Sequence, residues 1–555
     1  MKVSTITIDH FRSIEHLTVV MPDRKPLILF GPNNAGKSNI IAAIHRILGE
    51  RYPPYIEMTD SDFFMRDKQA NPHSYISCCF DEPISKGQSI VRAEYFADSS
   101  QNRLSDSFGK KLFISNEERK QIQSFLVDAE RSINYQLSYS SKFTLLSKFS
   151  HAVHNALKDD DRSALEAAFE TIKNVFSGIP EYKNFTERFA SSVSDSVQGF
   201  SHKLEVDFSA YDPNNYGNAM RIVAKEGAEP RSFDEFGTGE QQILLIAFAK
   251  AYMESFGSES IVLILEEPEA HLHPLAQKWL KEYIYDLCED GLQIIVSTHS
   301  PDFVDPSNLS GIVRVYKDNI GITKTVQLNN DDLAQQCISM GVPASKIKEK
   351  GVHEFFQARF LKDDLKGLFA KKVILVEGAT EYLSLPLFFK RNQLSLPKEG
   401  LEIISCRGKG QIPAYYRLFE SFGIECFVIF DADSNGGNNS ELMDLLGIDA
   451  MSANGNYVVG DNYLYFTHDY EHAVRLDYPG YSDLEQTAKE EYGASGKPNI
   501  ARVAAILMDG APSFTVDLTK LFKEGETETV EAELETPLMP STFDSLIEYD
   551  DDIPF

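Results

Sequence analysis

The sequence predicts an α/β protein in which a P-loop sheet with a helical insertion is followed by a second, Rossmann-like sheet. Three observations predict this arrangement. Residues 31–38 form a G-x-x-x-x-G-K-S loop between a short apolar strand and a helical pattern. The apolar run Ile261–Leu265, typical of a buried central strand, ends in Glu266 and Glu267. From Lys372 onward, short apolar strands again alternate with helical patterns.

The composition is that of a globular chain with several domains. At 555 residues the chain is long enough for about two to four domains. It contains no apolar run long enough to cross a bilayer, and its first residues alternate like a strand, so we expect a cytoplasmic protein with no membrane partner. The six cysteines are scattered without metal-ligand spacing, which favours reduced, structural thiols.

The formal net charge of -29 excludes a surface that is basic overall, as a constitutive coat on DNA would need. Any contact with nucleic acid must therefore be local, assisted by a metal ion, or supplied by a partner.

The P-loop predicts a site for ATP and Mg²⁺. Backbone N–H groups of the loop, which includes Asn33, Asn34 and Gly36, are expected to hold the phosphates at the N-terminus of the next helix. Lys37 is expected to reach the terminal phosphates, and the Ser38 hydroxyl to bind magnesium.

Two more segments are expected beside this loop. The adjacent carboxylates of Glu266 and Glu267 suit a magnesium ion and a base that activates water, although a helix cap beside a core strand is the alternative. His299 lies shortly after the predicted strand Gln293–Val296, and we therefore expect it at the same edge of the sheet. We expect it near the terminal phosphate, whereas a lone histidine in this setting is usually a core residue.

A glycine turn at Gly237 and Gly239 opens a predicted helix that runs to about Tyr252. Such a turn at a helix N-terminus is a second anion site, and one protomer needs only one for its own nucleotide. We therefore expect this turn to bind the nucleotide of a neighbouring subunit.

The interval between the P-loop and Glu266 is longer than a compact P-loop sheet needs. Residues 116–200 show helical spacing and few strand signals, which predicts a helical insertion for dimerisation or spacing. The apolar positions that show the spacing are Ile122, Phe125, Leu126, Ala129, Leu165, Ala168, Phe169 and Ile172. Strands are expected to resume at Lys203–Phe208 and Ala219–Ala224.

Acidic residues follow two strands of the second predicted sheet. Glu377 and Glu381 lie one helical turn apart after the strand Lys372–Val376, and Asp431 and Asp433 follow the strand that ends at Phe430. Carboxyl ends of neighbouring parallel strands meet at one edge of a sheet, so these acids predict a metal site. The alternative is a set of ordinary strand-end acids.

A basic turn is expected beside the same edge. The strand Leu401–Ser405 is followed by Arg407-Gly408-Lys409-Gly410, in which glycines loosen the backbone between two cations. Arg407 and Lys409 are therefore expected to line a basic groove for DNA.

Together these segments resemble the OLD (overcoming lysogenisation defect) family, in which an ABC/Rad50-like ATPase domain is fused to a TOPRIM domain. The ATPase half of the resemblance rests on the P-loop, the degenerate signature Phe236–Gln242, the E-E-P-E-A-H-L-H-P stretch and the S-T-H-S-P segment. The TOPRIM half rests on E-G-x-x-E followed by D-x-D. The resemblance covers roughly residues 1–510.

The resemblance implies roles for the nucleotide-site residues. ATP would lie between two protomers, with Lys37, Ser38 and Glu266 holding nucleotide and magnesium. Glu267 would polarise the attacking water, and His299 would sense the terminal phosphate.

In the TOPRIM half, the resemblance implies one or two Mg²⁺ or Mn²⁺ ions bound by Glu377, Glu381, Asp431 and Asp433. Glu471 is a candidate for a further ligand, and Lys497 for stabilising the charge on a phosphodiester as it is cleaved. Strand-end or surface side chains without a catalytic role remain the alternative for all six.

The predicted division of the chain has six parts. They are the first part of the ATPase domain at 1–115, the helical insertion at 116–200, the second part of the ATPase domain at 201–345, a connector at 346–370, the TOPRIM domain at 371–520 and an acidic tail at 521–555.

Two departures from the ABC-type pattern bear on the rate of hydrolysis. Gly237 replaces the serine that such signatures offer to the partner's nucleotide, and no clear Q-loop glutamine follows the first helix. Asp60 and Asp62 are weak substitutes for that glutamine. We therefore expect slow hydrolysis, with ATP acting more as a switch than as a fuel.

The tail ends in D-D-D-I-P-F, which looks like the terminal peptide of bacterial single-stranded-DNA-binding protein (SSB). Ile553, Pro554 and Phe555 would supply an apolar plug, and the acidic residues from Asp550 would steer it towards a basic rim. The tail is expected to dock on, or compete for, proteins that bind the SSB peptide. A plain acidic tail, or a cover for the chain's own basic groove, are the alternatives.

The favoured hypothesis is an ATP-regulated, divalent-metal-dependent DNA endonuclease, working as a homodimer or a dimer of dimers, in defence against phages or plasmids. A helicase, or a retron reverse transcriptase with its DNA, is an open choice of partner. The rival hypothesis is a non-cleaving ATPase that senses DNA ends or replication intermediates and recruits repair proteins through its tail.

Overall fold

The computed structural model describes most of the chain in two compact units. The described residues are 1–49, 51–85, 87–115, 118–119, 121–127, 137, 144–185, 187–188, 223–226, 229–232, 237–256, 260–270, 272–347, 351–432, 439–451 and 455–524. The first unit is Met1–Ala379 with Gly400–Asp469, and the second is Thr380–Glu399 with Tyr470–Phe555.

An antiparallel sheet forms the N-terminal part of the first unit. Its strands lie in the order β2-β1-β4-β5-β6-β7. They are β1 (Val3–Phe11), β2 (Ile14–Val20), β4 (His73–Phe80), β5 (Ile90–Phe96), β6 (Arg103–Ser105) and β7 (Lys111–Leu112). In β2, Leu17 and Val19 are buried whereas Thr18 is exposed, the alternation of a sheet with one covered face.

The central sheet places the nucleotide motifs together. Its strands lie in the order β14-β13-β3-β12-β11-β8, and only β14 is antiparallel to its neighbour. They are β3 (Leu27–Phe30), β8 (Ile122–Val127), β11 (Ser260–Glu266), β12 (Gln293–Thr298), β13 (Ile312–Lys317) and β14 (Thr323–Gln327). Because β3, β11 and β12 run in one direction, the segments that follow them meet at one edge.

Both faces of this sheet are covered. Leu27 and Leu29 of β3 belong to one apolar core, whereas Ile28 and Phe30 belong to the other. The first core also includes α1 (Lys37–Leu48). The second includes α4 (Thr238–Phe256) and α5 (Pro274–Glu289). Burial on both faces explains why these strands are continuous apolar runs.

The helical interpretation of the start of the insertion is wrong. Residues 122–127 form β8, which pairs in parallel with β11, so that Ile122 lies opposite Ser260 and Val127 opposite Leu265. The first four residues of β8 are all buried, so the strand lacks the alternation of buried and exposed side chains that a half-buried strand shows.

The later part of the insertion is helical, as expected. The helices are α2 (Leu145–Ala156) and α3 (Asp159–Ser177), and α3 contains the predicted positions from Leu165 to Ile172. The predicted strand Lys203–Phe208 lies outside the described residues. A hairpin of β9 (Val223–Glu226) and β10 (Glu229–Ser232) overlaps only the end of the predicted strand Ala219–Ala224.

The second predicted sheet is present, in the order β16-β15-β17-β19-β18, parallel except for β18. Its strands are β15 (Lys372–Val376), β16 (Leu401–Ser405), β17 (Glu425–Asp431), β18 (Tyr457–Val459) and β19 (Tyr463–Phe466). The first two have the predicted bounds, and the third ends at Asp431, one residue after its predicted end at Phe430. The fold class expected from the sequence is confirmed.

Between the two sheets the connector forms α7 (Val352–Gln357) and a 3-10 helix, Lys362–Phe369. Further helices of the first unit are α6 (Asn330–Ser339), α10 (Ile412–Ser421) and α11 (Ser440–Leu446). Phe30 of the central sheet packs against Phe369 and Phe422, with ring centroids 5.2 and 6.4 Å apart. The two sheets of this unit therefore share one apolar core.

The second unit is helical in its described part. Its helices are α8 (Ala379–Arg391, which begins one residue before the unit), α9 (Leu396–Glu399), α12 (Tyr470–Asp477), α13 (Tyr481–Glu490), α14 (Lys497–Leu507) and α15 (Ser513–Glu524). The Ser384 and Tyr470 hydroxyls are 2.5 Å apart, and Asn392 Nδ2 donates to Thr515 Oγ1 at 2.9 Å. Across the described parts of both units, no helix has the length and apolar character needed to cross a membrane.

Candidate functional site: a P-loop site and a strand-end acidic pair

The P-loop joins β3 to α1 through a backbone that requires glycine. Gly31 and Gly36 have φ of 145° and 111°. A Cβ on Gly36 would lie 2.2 Å from Thr323 Oγ1, and one on Gly31 would lie 2.0 Å from the carbonyl oxygen of Val315. The loop is therefore packed closely against β13 and β14, and a side chain at either glycine would displace it.

Lys37 lies inside this loop. Its Nζ donates to the carbonyl oxygens of Gly31 at 3.0 Å and Pro32 at 3.1 Å. Burial lowers the pKa of Lys37 to about 8, against the opposing field of Glu267 and the neighbouring acids. A triphosphate would replace the two carbonyl partners with negative oxygens, which hold an ammonium group more strongly.

The two predicted magnesium ligands are adjacent. The Ser38 hydroxyl at the start of α1 donates to Glu266 Oε1 at the end of β11. Both groups offer oxygen, the donor type that Mg²⁺ prefers. The residues present therefore fit a magnesium-bound nucleotide.

Glu267 and His299 face each other across the ends of β11 and β12. Glu267 Oε1 lies 3.3 Å from His299 Nε2, and both side chains are partly exposed. Glu267 has a φ of 46°, and its N–H donates to the Ser297 carbonyl at 2.9 Å. A non-glycine residue held in this left-handed region is uncommon and is found more often at functional positions.

The sequence did not reveal the part that Glu269 takes in this site. Glu269 Oε1 accepts hydrogen bonds from Thr298 Oγ1 at 2.7 Å and from the His299 N–H at 2.8 Å. These bonds fix the backbone that carries His299. The only sequence signal was a third acid in E-E-P-E, because the partners of Glu269 lie about thirty residues further along the chain.

The glycine turn before α4 contains one exposed and one buried glycine. Gly237 is exposed, and its N–H donates to Glu240 Oε2 at 3.2 Å, whereas Gly239 is buried. Phe236 lies outside the described residues. Binding of a partner's nucleotide by this turn stays a prediction.

Asp62, one substitute for the missing Q-loop glutamine, is engaged elsewhere. Its buried carboxylate contacts Arg12 at 3.0 Å and Arg46 at 3.1 Å. Removing these partners from a buried carboxylate would be costly, so Asp62 is a structural anchor. Asp60 is exposed and lies 4.0 Å from Lys68.

At the second sheet, Glu377 and Asp431 lie together as predicted. The Asp431 N–H at the end of β17 donates to Oε1 of Glu377 at 2.7 Å, and Glu377 directly follows β15. Lys409 belongs to the same cluster, because its Nζ donates to the Asp431 carbonyl at 2.6 Å and lies 4.0 Å from Glu377 Oε1. The Glu377 carboxylate beside the Lys409 ammonium group, at the strand end that carries Asp431, fits a place where a divalent cation and a phosphate can be held.

Arg407 and Lys409 have different partners, and a basic groove for DNA lined by both stays a prediction. The guanidinium group turns towards the connector, where it donates to Asp364 at 2.7 and 3.1 Å and to the Arg359 carbonyl at 3.1 Å. Hydrogen bonding to Asp364 raises the pKa of Arg407. The turn separates its two cations because Arg407 has a φ of 60° and Gly408 a φ of 128°.

The other predicted residues of the metal site belong to the second unit or are not described. Glu381 is buried in the first turn of α8. Lys497 Nζ lies 3.7 Å from Glu471 Oε1, with Lys497 83% exposed and Glu471 13% exposed. Asp433 lies outside the described residues. Within the described part of the chain, no group of three or more His, Cys, Asp or Glu side chains is arranged to hold a metal ion, so the full ligand set stays a prediction.

Two family models match the two parts of the chain that carry the nucleotide motifs and the acidic motifs. The family model of the AAA ATPase domain matches residues 1–215 and 93–304. The model of the overcoming lysogenization defect protein-like TOPRIM domain matches residues 368–433. These matches contain the P-loop and the Glu377–Asp431 pair respectively, and they confirm the predicted fusion.

Three of the relatives that the chain resembles carry nuclease names. The OLD nuclease of Thermus scotoductus is 23% identical over 451 residues, which are 77% of this chain and 81% of that protein. The Old nuclease of Escherichia phage P2 is 23% identical over 475 residues, with coverage of 78% and 77%. The endonuclease GajA of Bacillus cereus is 22% identical over 429 residues, with coverage of 71% and 58%.

Proposed function

Because the chain belongs to the AAA ATPase domain family and continues into an OLD-like TOPRIM domain, we propose that it is an ATP-regulated, divalent-metal-dependent DNA endonuclease of OLD type. One observation carries this proposal. Glu377 and Asp431 are paired at the ends of neighbouring parallel strands, in the compact unit that also holds the P-loop. The nuclease names of its relatives support the same class of reaction.

At the nucleotide site, the chain's own groups would bind the nucleotide and orient the attacking water. Lys37 and the loop amides would hold the phosphates, while Ser38 and Glu266, which are hydrogen-bonded to each other, would hold the magnesium ion that accompanies them. Glu267 accepts the proton of the attacking water, and His299 lies at its side, 3.3 Å away, to contact the terminal phosphate. Glu269 keeps the His299 backbone in place.

At the second site, we propose carboxylate ligands that follow β15 and β17 or lie in the first turns of α8 and α12. They are Glu377, Glu381, Asp431, Asp433 and the further candidate Glu471. One or two Mg²⁺ or Mn²⁺ ions held there would activate water and stabilise the leaving oxygen of a phosphodiester. Lys409 balances the charge of Glu377, and the exposed Lys497 is accessible to a phosphate.

A plasmid-nicking assay tests the function. We expect the purified chain to convert covalently closed plasmid into nicked or linear DNA with Mg²⁺ or Mn²⁺, and EDTA to stop it. Adding ATP should change the rate, because the two sites share one core. Steady ATP turnover without cleavage under any of these conditions would favour the rival function, a non-cleaving sensor of DNA ends or replication intermediates.

We propose a cytoplasmic homodimer or dimer of dimers, in which ATP binds between the P-loop of one protomer and the glycine turn of the other. The exposed Gly237 at the N-terminus of α4 supports this arrangement. The net charge of -29 favours a partner that supplies affinity for nucleic acid, with a helicase or a retron reverse transcriptase and its DNA as candidates. Defence against phages or plasmids is the role that OLD resemblance suggests.

The C-terminal tip, which lies outside the described residues, is proposed to mimic the SSB peptide. Deleting Ile553–Phe555 removes the apolar plug, and losing such an anchor costs about 2 kcal/mol or more, roughly a 30-fold loss in affinity. We expect pulldown of proteins that bind the SSB peptide to fall accordingly. The control is Glu524→Gln, which leaves the plug intact. Unchanged pulldown together with faster DNA cleavage would instead identify the tip as a cover for the enzyme's own groove.

A further inference from the structure

The 3-10 helix of the connector has a contact on each side that neither proposed site explains. On one side, Lys362 Nζ lies 2.9 Å from Asp302 Oδ1. Asp302 belongs to the short turn Pro301–Phe303, three residues after His299, and Ser300 fixes that turn through a 3.3 Å hydrogen bond to the Asp302 N–H. Lys362 is therefore tied to the segment expected to respond to the terminal phosphate.

On the other side, Asp364 is almost fully buried and holds Arg407. Its two oxygens accept from the two terminal nitrogens of the guanidinium group at 3.1 and 2.7 Å, and Oδ2 also accepts from the Tyr415 hydroxyl at 2.8 Å. The Leu361 N–H donates to the same oxygen at 2.7 Å. A bidentate pair of this kind fixes direction as well as distance, which a single ammonium contact does not.

Arg407 in turn sets the path of the loop that holds the acidic pair. The residue before it, Cys406, donates its N–H to the Val376 carbonyl at 2.9 Å, and the residue after it, Gly408, donates its N–H to the Glu377 carbonyl at 2.6 Å. Lys409 then reaches the Asp431 carbonyl at 2.6 Å. Because Arg407 is held in a left-handed conformation between these bonds, a shift of its side chain moves both Lys409 and the backbone of Glu377.

We propose that Asp364 is a positioning residue for phosphodiester cleavage, and that the Lys362–Asp302 ion pair transmits the nucleotide state to it. This inference rests on the proposed function and names the regulation of its second site. When the His299 segment moves on binding or losing the terminal phosphate, Asp302 pulls on Lys362. Asp364 lies two residues further on the same 3-10 helix and carries the movement to Arg407. The acidic pair then gains or loses the geometry that binds the metal ion.

An ion pair that only stabilises the fold would behave differently. Its loss would lower the melting temperature but leave metal affinity and the ATP response as they were. The chain offers a matched comparison, since Lys366 lies four residues further on the same 3-10 helix and pairs with Glu402 of β16 at 2.7 Å. The two lysines are similarly exposed, at 36% for Lys362 and 32% for Lys366.

The test uses the full-length protein with Lys362→Met, Lys366→Met and Asp364→Asn. Two quantities are measured: the Mn²⁺ affinity without nucleotide, by electron paramagnetic resonance, and the ratio of plasmid-nicking rates with and without ATP. The Mn²⁺ signal of Asp431→Ala is subtracted as background. Lys362→Met should keep the wild-type Mn²⁺ affinity and the wild-type nicking rate without ATP. Its ratio of nicking rates with and without ATP should move towards one by about 5-fold or more, which is the lower end of typical coupling between two sites. Lys366→Met should match the wild type in both.

Asp364→Asn should lower Mn²⁺ affinity by about 10- to 100-fold, as the loss of a group that orients a metal ligand does, with ATP turnover retained. If Asp364→Asn does not fold, Lys362→Met decides the matter alone. A wild-type ratio in Lys362→Met, or wild-type Mn²⁺ affinity in a folded Asp364→Asn, overturns the inference while leaving the nuclease in place. A wild-type protein that neither binds Mn²⁺ nor nicks DNA overturns the proposed function itself, and a wild-type ratio of one overturns its regulation by ATP.

Discussion

Replacing Glu267 by glutamine is expected to lower steady-state ATP turnover by about 10²- to 10⁴-fold, the usual contribution of a general base. The substitution keeps the shape and polarity of the side chain, so the contact with His299, now 3.3 Å, can be retained. What it removes is the ability to accept a proton from water. Lys37, Ser38 and Glu266 are untouched, and nucleotide binding should persist.

The consequence should be a trapped ATP complex. If ATP binds between two protomers, Glu267→Gln should accumulate as a nucleotide-bound dimer, measured by light scattering with and without ATP. The control is Glu282→Gln, which makes the same chemical change on the exposed face of α5. ATP turnover by Glu267→Gln that equals the control would remove Glu267 as the base and leave His299 or an unassigned residue in its place.

The parts of the fold predicted from the sequence are those whose signal is local. The strands β3, β11 and β12 are short apolar runs, because both faces of their sheet are buried, and the segments directly after them are the P-loop, a pair of acids and His299-Ser300-Pro301. The strands β15 and β16 were placed at their observed bounds for the same reason.

The failures have a common physical origin, which is contact between residues far apart in sequence. The strand β8 resembled a helix because its pairing with β11 buries even Gln123 and Ser124. The partner of Arg407 was likewise not apparent from the sequence, because Asp364 lies more than forty residues earlier. A sequence pattern shows which side chains carry charge, but it does not show which charges are already neutralised inside the fold.

The same limit applies to the metal site. The pairing of Glu377 with Asp431 was predictable, because parallel strands of one sheet bring their carboxyl ends to one edge. That Lys409 and not Arg407 would contact them was not predictable, since it depends on the left-handed turn at Arg407. Local spacing identified the acids, and tertiary structure supplied the cation that balances them.

Replacing Asp431 by alanine is expected to reduce DNA cleavage by about 100-fold or more while leaving ATP turnover within about 2-fold of wild type. Losing even a group that only orients a metal ligand costs about 10- to 100-fold, so losing a ligand should cost at least as much. Turnover is spared because the groups at the P-loop and at the ends of β11 and β12 are unchanged. The two rates are measured on the same preparation, by plasmid nicking and by phosphate release.

The matched control is Asp444→Ala, an exposed aspartate on α11 that belongs to neither site. Cleavage that persists in Asp431→Ala but not in a metal-free buffer would place the ions elsewhere in the chain. Glu377→Ala should have the same effect as Asp431→Ala. If both carboxylates bind one ion, the double variant should be no slower than either single variant, because residues that act as a unit are not additive. Multiplicative losses would instead assign Glu377 and Asp431 to independent roles, and the adjacency of their strand ends would then be structural rather than catalytic.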